Sequence, residues 1–376
     1  MAPSNRPVSR RRLLRTAALG GSGLIAAYVL GCADGSEAEP TATAASTQPP
    51  PSPTVATTPA PSPTARPLRW RRLAPLGSRR PPPRRDHSFV SDHSRLYLFG
   101  GRDGETLGDL WMYDFRSNVW FDLTPENGPP ARFGHNAMWD WSSGRVIVFG
   151  GQGSSGFFND LWAFDPETNQ WTELAQGTSS PAPRYGAGAA LGFGLRDPNT
   201  EERRLLISHG FTSQGRFDDT WQYELSSQTW TEISPQAPRP IERCLMRAVW
   251  DSQSRRLLMF GGQTTSTPFL GDLWELTGDG WREISSEPRP SPRNFYAMVF
   301  DEDRGHLILF GGRTEQGPVN DLWLFDSATN VWSQPPFEGE PPSSRFGHDF
   351  ASLRGGAVLF GGNDGTSDLN DLWVLA

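Results

Sequence analysis

The chain has no lysine; all 35 of its basic residues are Arg. That absence excludes Schiff-base catalysis and lysine general bases. Cysteine is almost as scarce, with only Cys32 and Cys244 in 376 residues. Cys244 lies in the apolar run Cys-Leu-Met, which suits a buried small hydrophobe better than a nucleophile. There is no surplus of positive charge: the net charge is −7. A nucleic-acid partner, which needs clustered cations to displace counterions, is not expected. Long hydrophobic runs are missing too, since the stretch from Thr16 to Leu30 is short and rich in Gly and Ala. No nucleophile elbow, phosphate-binding glycine loop or zinc-protease helix occurs. No cofactor is expected.

What the chain has instead is Gly, Pro and Trp, at 40, 34 and 15 residues. They recur with a period of about fifty. Glycine pairs stand at Gly100-Gly101, Gly150-Gly151, Gly261-Gly262, Gly311-Gly312 and Gly361-Gly362, with His209-Gly210 in the same place in a divergent third copy. Each is followed by an Asp and a Trp two residues apart, from Asp109 and Trp111 through to Asp371 and Trp373. A second Trp follows at Trp120, Trp171, Trp230, Trp281 and Trp332. Between these marks lie short apolar runs such as Val146 to Phe149, of strand length and bounded by turn residues, so each copy predicts four antiparallel strands. A single sheet of that kind cannot cover both its faces, so the copies must pack on one another. The sixth copy reaches Ala376 without its second Trp, whereas Trp70, in Leu68 to Leu73, stands ahead of the first copy in a matching setting. Trp70 is therefore expected on the fourth strand of the last sheet, closing a ring and removing a free edge.

The period, the Gly-Gly after an apolar run, the Asp-Leu-Trp and the spaced second Trp resemble the Kelch repeat. The resemblance covers 68–376 and implies an all-β, six-bladed Kelch-type propeller, closed by its N-terminal strand.

Ahead of it, residues 1–31 carry the signature of an export signal. Ser9-Arg-Arg-Arg-Leu-Leu-Arg15 resembles the twin-arginine motif, and Val29-Leu-Gly-Cys32 resembles a bacterial lipobox in which Cys32 is lipidated. Loss of that segment, with its five Arg and no acid, takes the net charge from −7 to −12. With Cys32 lipidated, no intramolecular disulfide is available. Residues 32–67, mostly Pro, Thr, Ala and Ser, cannot bury a core and are expected to form a disordered tether. At about 3.1 Å per residue it spans on the order of 100 Å. The expected location is outside the cytoplasm, on a membrane, as a monomer.

Two constellations are candidates for function. Arg84, Arg132, Arg184, Arg243, Arg293 and Arg345 recur once per copy, and the Kelch resemblance places them around one mouth of the central channel. Their guanidinium forks suit carboxylate, sulfate or phosphate, or else each bridges to the Asp of its own repeat. The loops after the glycine pairs add Arg102, Gln152, Gln263, Arg313 and Asn363, with Phe157, Phe158 and Phe269 as candidate exposed contacts. His87, His135 and His348 stand three residues after their Arg in neighbouring copies, a weak zinc or copper candidate weighed against packed histidines. The resemblance leaves two functions open. One is a binding module taking a protein or carbohydrate at the mouth. The other is a carbohydrate-active enzyme like the Kelch-type sugar mutarotases, with a copper oxidase resembling galactose oxidase more remote.

Overall fold

The computed structural model describes residues 67–195, 200 and 202–376. All regular structure among them is strand. Six sheets form, and the middle strands of each are buried on both faces: Leu96, Leu98, Val148, Phe149, Leu258 and Phe310 are all fully covered. This is why those runs read as continuously apolar rather than alternating. Blade 5 illustrates the pattern, with antiparallel strands Ala297–Asp301, His306–Thr314, Gly317–Asp326 and Val331–Ser333 in order from the channel outward. The inner strands of successive blades touch in a closed circle, the first meeting the sixth.

The apolar core lies between blades. Six clusters fill the six interfaces, as where Phe260 and Leu273 of blade 4 meet Tyr296, Met298 and Leu309 of blade 5. The outer-strand Trp packs against the Phe before the glycine pair of the preceding blade: Trp120 on Phe360, Trp171 on Phe99, Trp230 on Phe149 and Trp332 on Phe260, with centroids 5.1–5.6 Å apart. In the divergent third blade Ser208 occupies the Phe position. There His209, at φ +61°, turns its ring onto Trp281 at 6.1 Å and fills the aromatic slot.

Ring closure follows the sequence expectation. Leu68–Leu73 pairs antiparallel with Asp368–Leu375, and Trp70 meets Phe310 at 4.9 Å. One feature differs: the sixth blade has five strands, because Phe337–Glu338 adds in parallel to Leu68 and Arg69. Leu76 likewise bridges in parallel to Val119 of blade 1. In both places the chain leaving one blade covers the outer edge of the next, which shields an otherwise unpaired strand.

Candidate functional site

Each glycine pair makes a β-bulge that stitches two blades together. In blade 1 the register slips between Phe99 and Gly101, and Gly101 donates its N–H to the Arg132 carbonyl of blade 2 at 2.9 Å. Both glycines have positive φ, and a Cβ on Gly100 would sit 2.5 Å from that same carbonyl oxygen. Only glycine permits so close an approach.

The six arginines are held inside this stitch. All are buried, at 0–1 % exposure. Arg132 gives Nη1 to the Gly150 carbonyl at 2.9 Å and to Asp160 Oδ1 at 2.6 Å, Nη2 to Asp160 Oδ2 at 2.8 Å, and Nε to the Pro130 carbonyl. The same pattern ties Arg84 to Asp109, Arg184 to Asp219, Arg243 to Asp272, Arg293 to Asp321 and Arg345 to Asp371. The Trp of each Asp-x-Trp donates its Nε1 to the same carboxylate, at 2.6–2.8 Å. Burial pushes these carboxyls up, but the Arg hydrogen bond and charge outweigh it and hold Asp109, Asp219, Asp272, Asp321 and Asp371 below the ordinary range. The bidentate, desolvated geometry leaves the ring no fork to offer a ligand, so the reading of these six residues as anion-binding groups is corrected to architecture.

The histidines are also structural. His87, His135 and His348 are buried and each packs edge-on against the Phe before the glycine pair of the preceding blade, at 5.2–5.7 Å. His348 Nε2 lies 3.1 Å from the Phe310 carbonyl, and His135 Nε2 lies 2.8 Å from Ser88 Oγ. Burial first, then neighbouring arginines, holds all three well below the usual imidazole value. They point into three different interfaces, and among the described residues no set of three or more His, Cys, Asp or Glu is placed to hold a metal ion. Their candidacy as a zinc or copper site is thereby corrected.

Beside the Arg ring lies a second ring that the sequence reading missed. Two residues after each Arg stand Asp86, Gly134, Gly186, Leu245, Phe295 and Gly347, all with φ between +53° and +66°. Each donates its backbone N–H to the carbonyl of the one before it, over 2.7–3.3 Å, so six hydrogen bonds run head to tail around the channel. Asp86, Leu245 and Phe295 accept this left-handed conformation despite carrying side chains. The Asp86 carboxylate stands over Gly347 and the Leu245 side chain over Gly186, where a Cβ would meet them at 2.7 and 2.8 Å. Beneath them remains a half-open cavity of about 40 Å³, room for about three waters.

The mouth around this ring carries the loop residues. Arg85, Phe133, Tyr185, Cys244, Asn294 and Phe346 bridge to the residues just after the glycine pairs, Arg102, Gln152, Phe211, Gln263, Arg313 and Asn363. The structure thus gathers the loop candidates on one face. Arg102 binds Asp86 at 2.7 Å and covers the Phe133 ring at 4.7 Å. Gln263 Oε1 accepts from Asn294 Nδ2 at 2.9 Å, and Asn363 Nδ2 donates to Asp368 at 2.7 Å. Arg313 makes no side-chain bond with any described residue. Phe157, Phe158 and Phe269 are half-buried rather than exposed. Phe157 meets Phe211 at 5.9 Å and Phe158 lies under Arg132 at 4.3 Å. Beside them runs a further aromatic row, in which half-buried Phe133 contacts buried Tyr185 at 5.5 Å and Arg216 covers half-buried Phe211 at 5.3 Å. The signal that could have found it is positional: the residue after each ring Arg changes type from copy to copy. Cys32 lies outside the described residues.

Comparison with known proteins agrees with this architecture. The chain matches the description "KLHDC2/KLHL20/DRC7 Kelch-repeats domain" over residues 64–262 and 234–376. It is 33 % identical over 192 residues to mouse "Multiple epidermal growth factor-like domains protein 8", covering 48 % of this chain but 6 % of that protein. It is 27 % identical over 212 residues to the "Dynein alpha chain, flagellar outer arm" of Chlamydomonas reinhardtii, covering 54 % and 5 %. With "Kelch domain-containing protein 10" of Xenopus tropicalis it shares 26 % over 222 residues, 51 % of this chain and 49 % of the other. The chain therefore spans half or less of the length of each of these relatives. Five bulged glycine pairs with His209-Gly210 in the sixth place, six Arg-Asp-Trp clusters and a family match over most of the propeller lead to one conclusion: the chain belongs to the Kelch-repeat β-propeller family.

Proposed function

We propose that the chain is an exported, membrane-anchored propeller that holds a protein partner on its glycine-pair loop face and performs no chemistry of its own. The observation that carries this reading is the contrast between channel and rim. The channel end holds a small cavity of about 40 Å³, and its six arginines are spent within their blades. The rim carries aromatic and guanidinium groups from Arg102 in blade 1 to Arg216 in blade 3, which reaches Thr265 of blade 4 at 2.8 Å. Pairing through Asp86, and of Arg85 with Asp368, holds that rim in place before any partner arrives. Aromatic and Arg groups gathered on a rim suit a protein, whereas a sugar calls for an enclosing pocket. The carbohydrate-active reading has no comparable support in this cavity.

The test places a photo-crosslinking amino acid at Gln152 on this face, and at Trp141 beyond the far end of the inner strand, in the full chain in its own cell envelope. A discrete protein adduct from position 152, absent from 141 and lost with Phe133→Ser, is expected. No adduct at 152, or an equal one at 141, refutes the face. Anchoring is tested separately: Cys32→Ala should release the protein from the membrane fraction, and retention there would refute lipidation at Cys32.

A further inference from the structure

Inside the channel, the first residues of the six inner strands form a layer of their own: Ser88, Asn136, Gly188, Arg247, Ala297 and Asp349. Arg247 is the only cation in this layer, and the positions flanking it carry no side chain larger than a methyl. Its guanidinium reaches past blade 5 to blade 6, where Nη2 lies 3.0 Å from Asp349 Oδ1. Asp349 is already served by two backbone amides, Phe350 N–H at 2.9 Å and Phe89 N–H at 3.1 Å. Burial pushes its carboxyl up, against the opposing charge of Arg247.

Arg247 thus spends one nitrogen on Asp349. Nε and Nη1 have no partner among the described residues, and a quarter of the side chain, 26 %, stays open. Asn136 lines the same cavity of about 40 Å³; its residue is 7 % exposed and its amide likewise has no partner among the described residues. Neither the Asn136 amide nor the free edge of the guanidinium is sealed from solvent, so both remain available as donors to a small group that enters the cavity. The wall also carries the Asp86 carboxylate, whose charge is already matched by Arg102 at 2.7 Å. At His87, on the cavity wall, the charges that add to burial in lowering its proton affinity are cationic, with Arg84 first and Arg247 next.

We propose that this cavity binds a small monovalent anion, of the chloride, nitrate or formate class, between the free edge of Arg247 and the Asn136 amide. The volume, about three water-sized groups, admits such ions. Bound there, the anion ties blade 2 to blade 4 across the channel, adding to the Arg247–Asp349 strut between blades 4 and 6.

Two measurements on the full chain test this. In ³⁵Cl NMR, excess chloride linewidth is expected with the wild-type protein and should collapse on addition of nitrate or formate. In thermal unfolding at constant ionic strength, chloride, nitrate and formate should each raise the melting temperature along a saturating curve that gluconate does not reproduce. Arg247→Gln should abolish the response and Asn136→Ala should weaken it at least several-fold. Wild-type protein with no excess linewidth and equal melting in chloride and gluconate would mean that the cavity holds water only, and would overturn the proposal. So would an undiminished response in folded Arg247→Gln protein.

Discussion

Replacing Arg293 with Met removes one guanidinium from a site where it makes five hydrogen bonds: to Asp321 Oδ1 and Oδ2 at 2.6 and 2.8 Å, to the Gly311 carbonyl at 2.9 Å, and to the Ser291 carbonyl and hydroxyl at 2.9 and 2.8 Å. The methionine fills much of the volume, so the loss is chiefly electrostatic. Breaking a buried ion pair by deleting one partner costs about 3–5 kcal/mol. The Asp321 side chain is 27 % exposed, so water recovers part of its solvation and the expected loss is near the lower end, about 3 kcal/mol. Arg313→Met, at a guanidinium without a partner among the described residues, should stay within about 0.5 kcal/mol of wild type. Urea titration followed by Trp fluorescence measures both. The pH dependence separates charge from packing. Burial pushes the Asp321 carboxyl up, but Arg293 outweighs it and leaves the group below its ordinary value. A depressed carboxylate contributes stability above its unfolded pKa and loses it as pH falls through the folded one. The penalty of Arg293→Met should therefore be full at pH 7 and shrink as pH drops below about 4. A penalty that is the same at pH 7 and pH 3, or one no larger than that of Arg313→Met, would refute the assignment of these arginines to the blade stitch.

Other consequences are as direct. Trp70→Ala should cost about 3–5 kcal/mol, because Trp70 is buried at the closure, against Phe310 and Phe350; a loss under about 1 kcal/mol in the same titration would mean that the ring is not held by this strand. Gly312→Ala places a Cβ 2.7 Å from the Tyr296 Cβ and 2.9 Å from the Asn294 carbonyl oxygen, whereas at Gly104 it meets nothing within 4 Å. Both have positive φ, so Gly104→Ala should cost about 1–2 kcal/mol and Gly312→Ala clearly more, and equal midpoints would contradict the close blade contact. His348 is held neutral in the fold, its proton affinity lowered by burial and then by Arg345. The unfolded chain takes up a proton that the folded one refuses, so stability is full above about pH 6.5 and falls below it, by up to about 1.4 kcal/mol per pH unit for each such histidine. Tyr296 fills the equivalent place in blade 5 with its hydroxyl on the Phe260 carbonyl. His348→Tyr should therefore fold and flatten the slope between pH 6.5 and 5, and an unchanged slope would place the titration elsewhere.

The sequence by itself determined the ring. Glycine pairs, Asp-x-Trp and the second Trp recur because each blade must solve the same packing problem, so six registered copies and the offset Trp70 specify a propeller and its closure. Even the histidine of the third copy obeys that rule, since an aromatic ring is needed opposite Trp281. What only the tertiary structure decided is which repeated residues still have chemistry to offer. Periodicity reports that an Arg stands in every blade, but not that its fork closes on an Asp 25–35 residues away inside the same sheet. It also hides contacts between copies. Arg247 reaches Asp349 across a blade, and Asp86, Leu245 and Phe295 take left-handed positions whose hydrogen bonds exist only once the circle is complete. The framework is set by local periodic burial, which a linear pattern records. The rim and the cavity are set by residues that differ between blades and meet only around the axis, where sequence separation carries no information about distance.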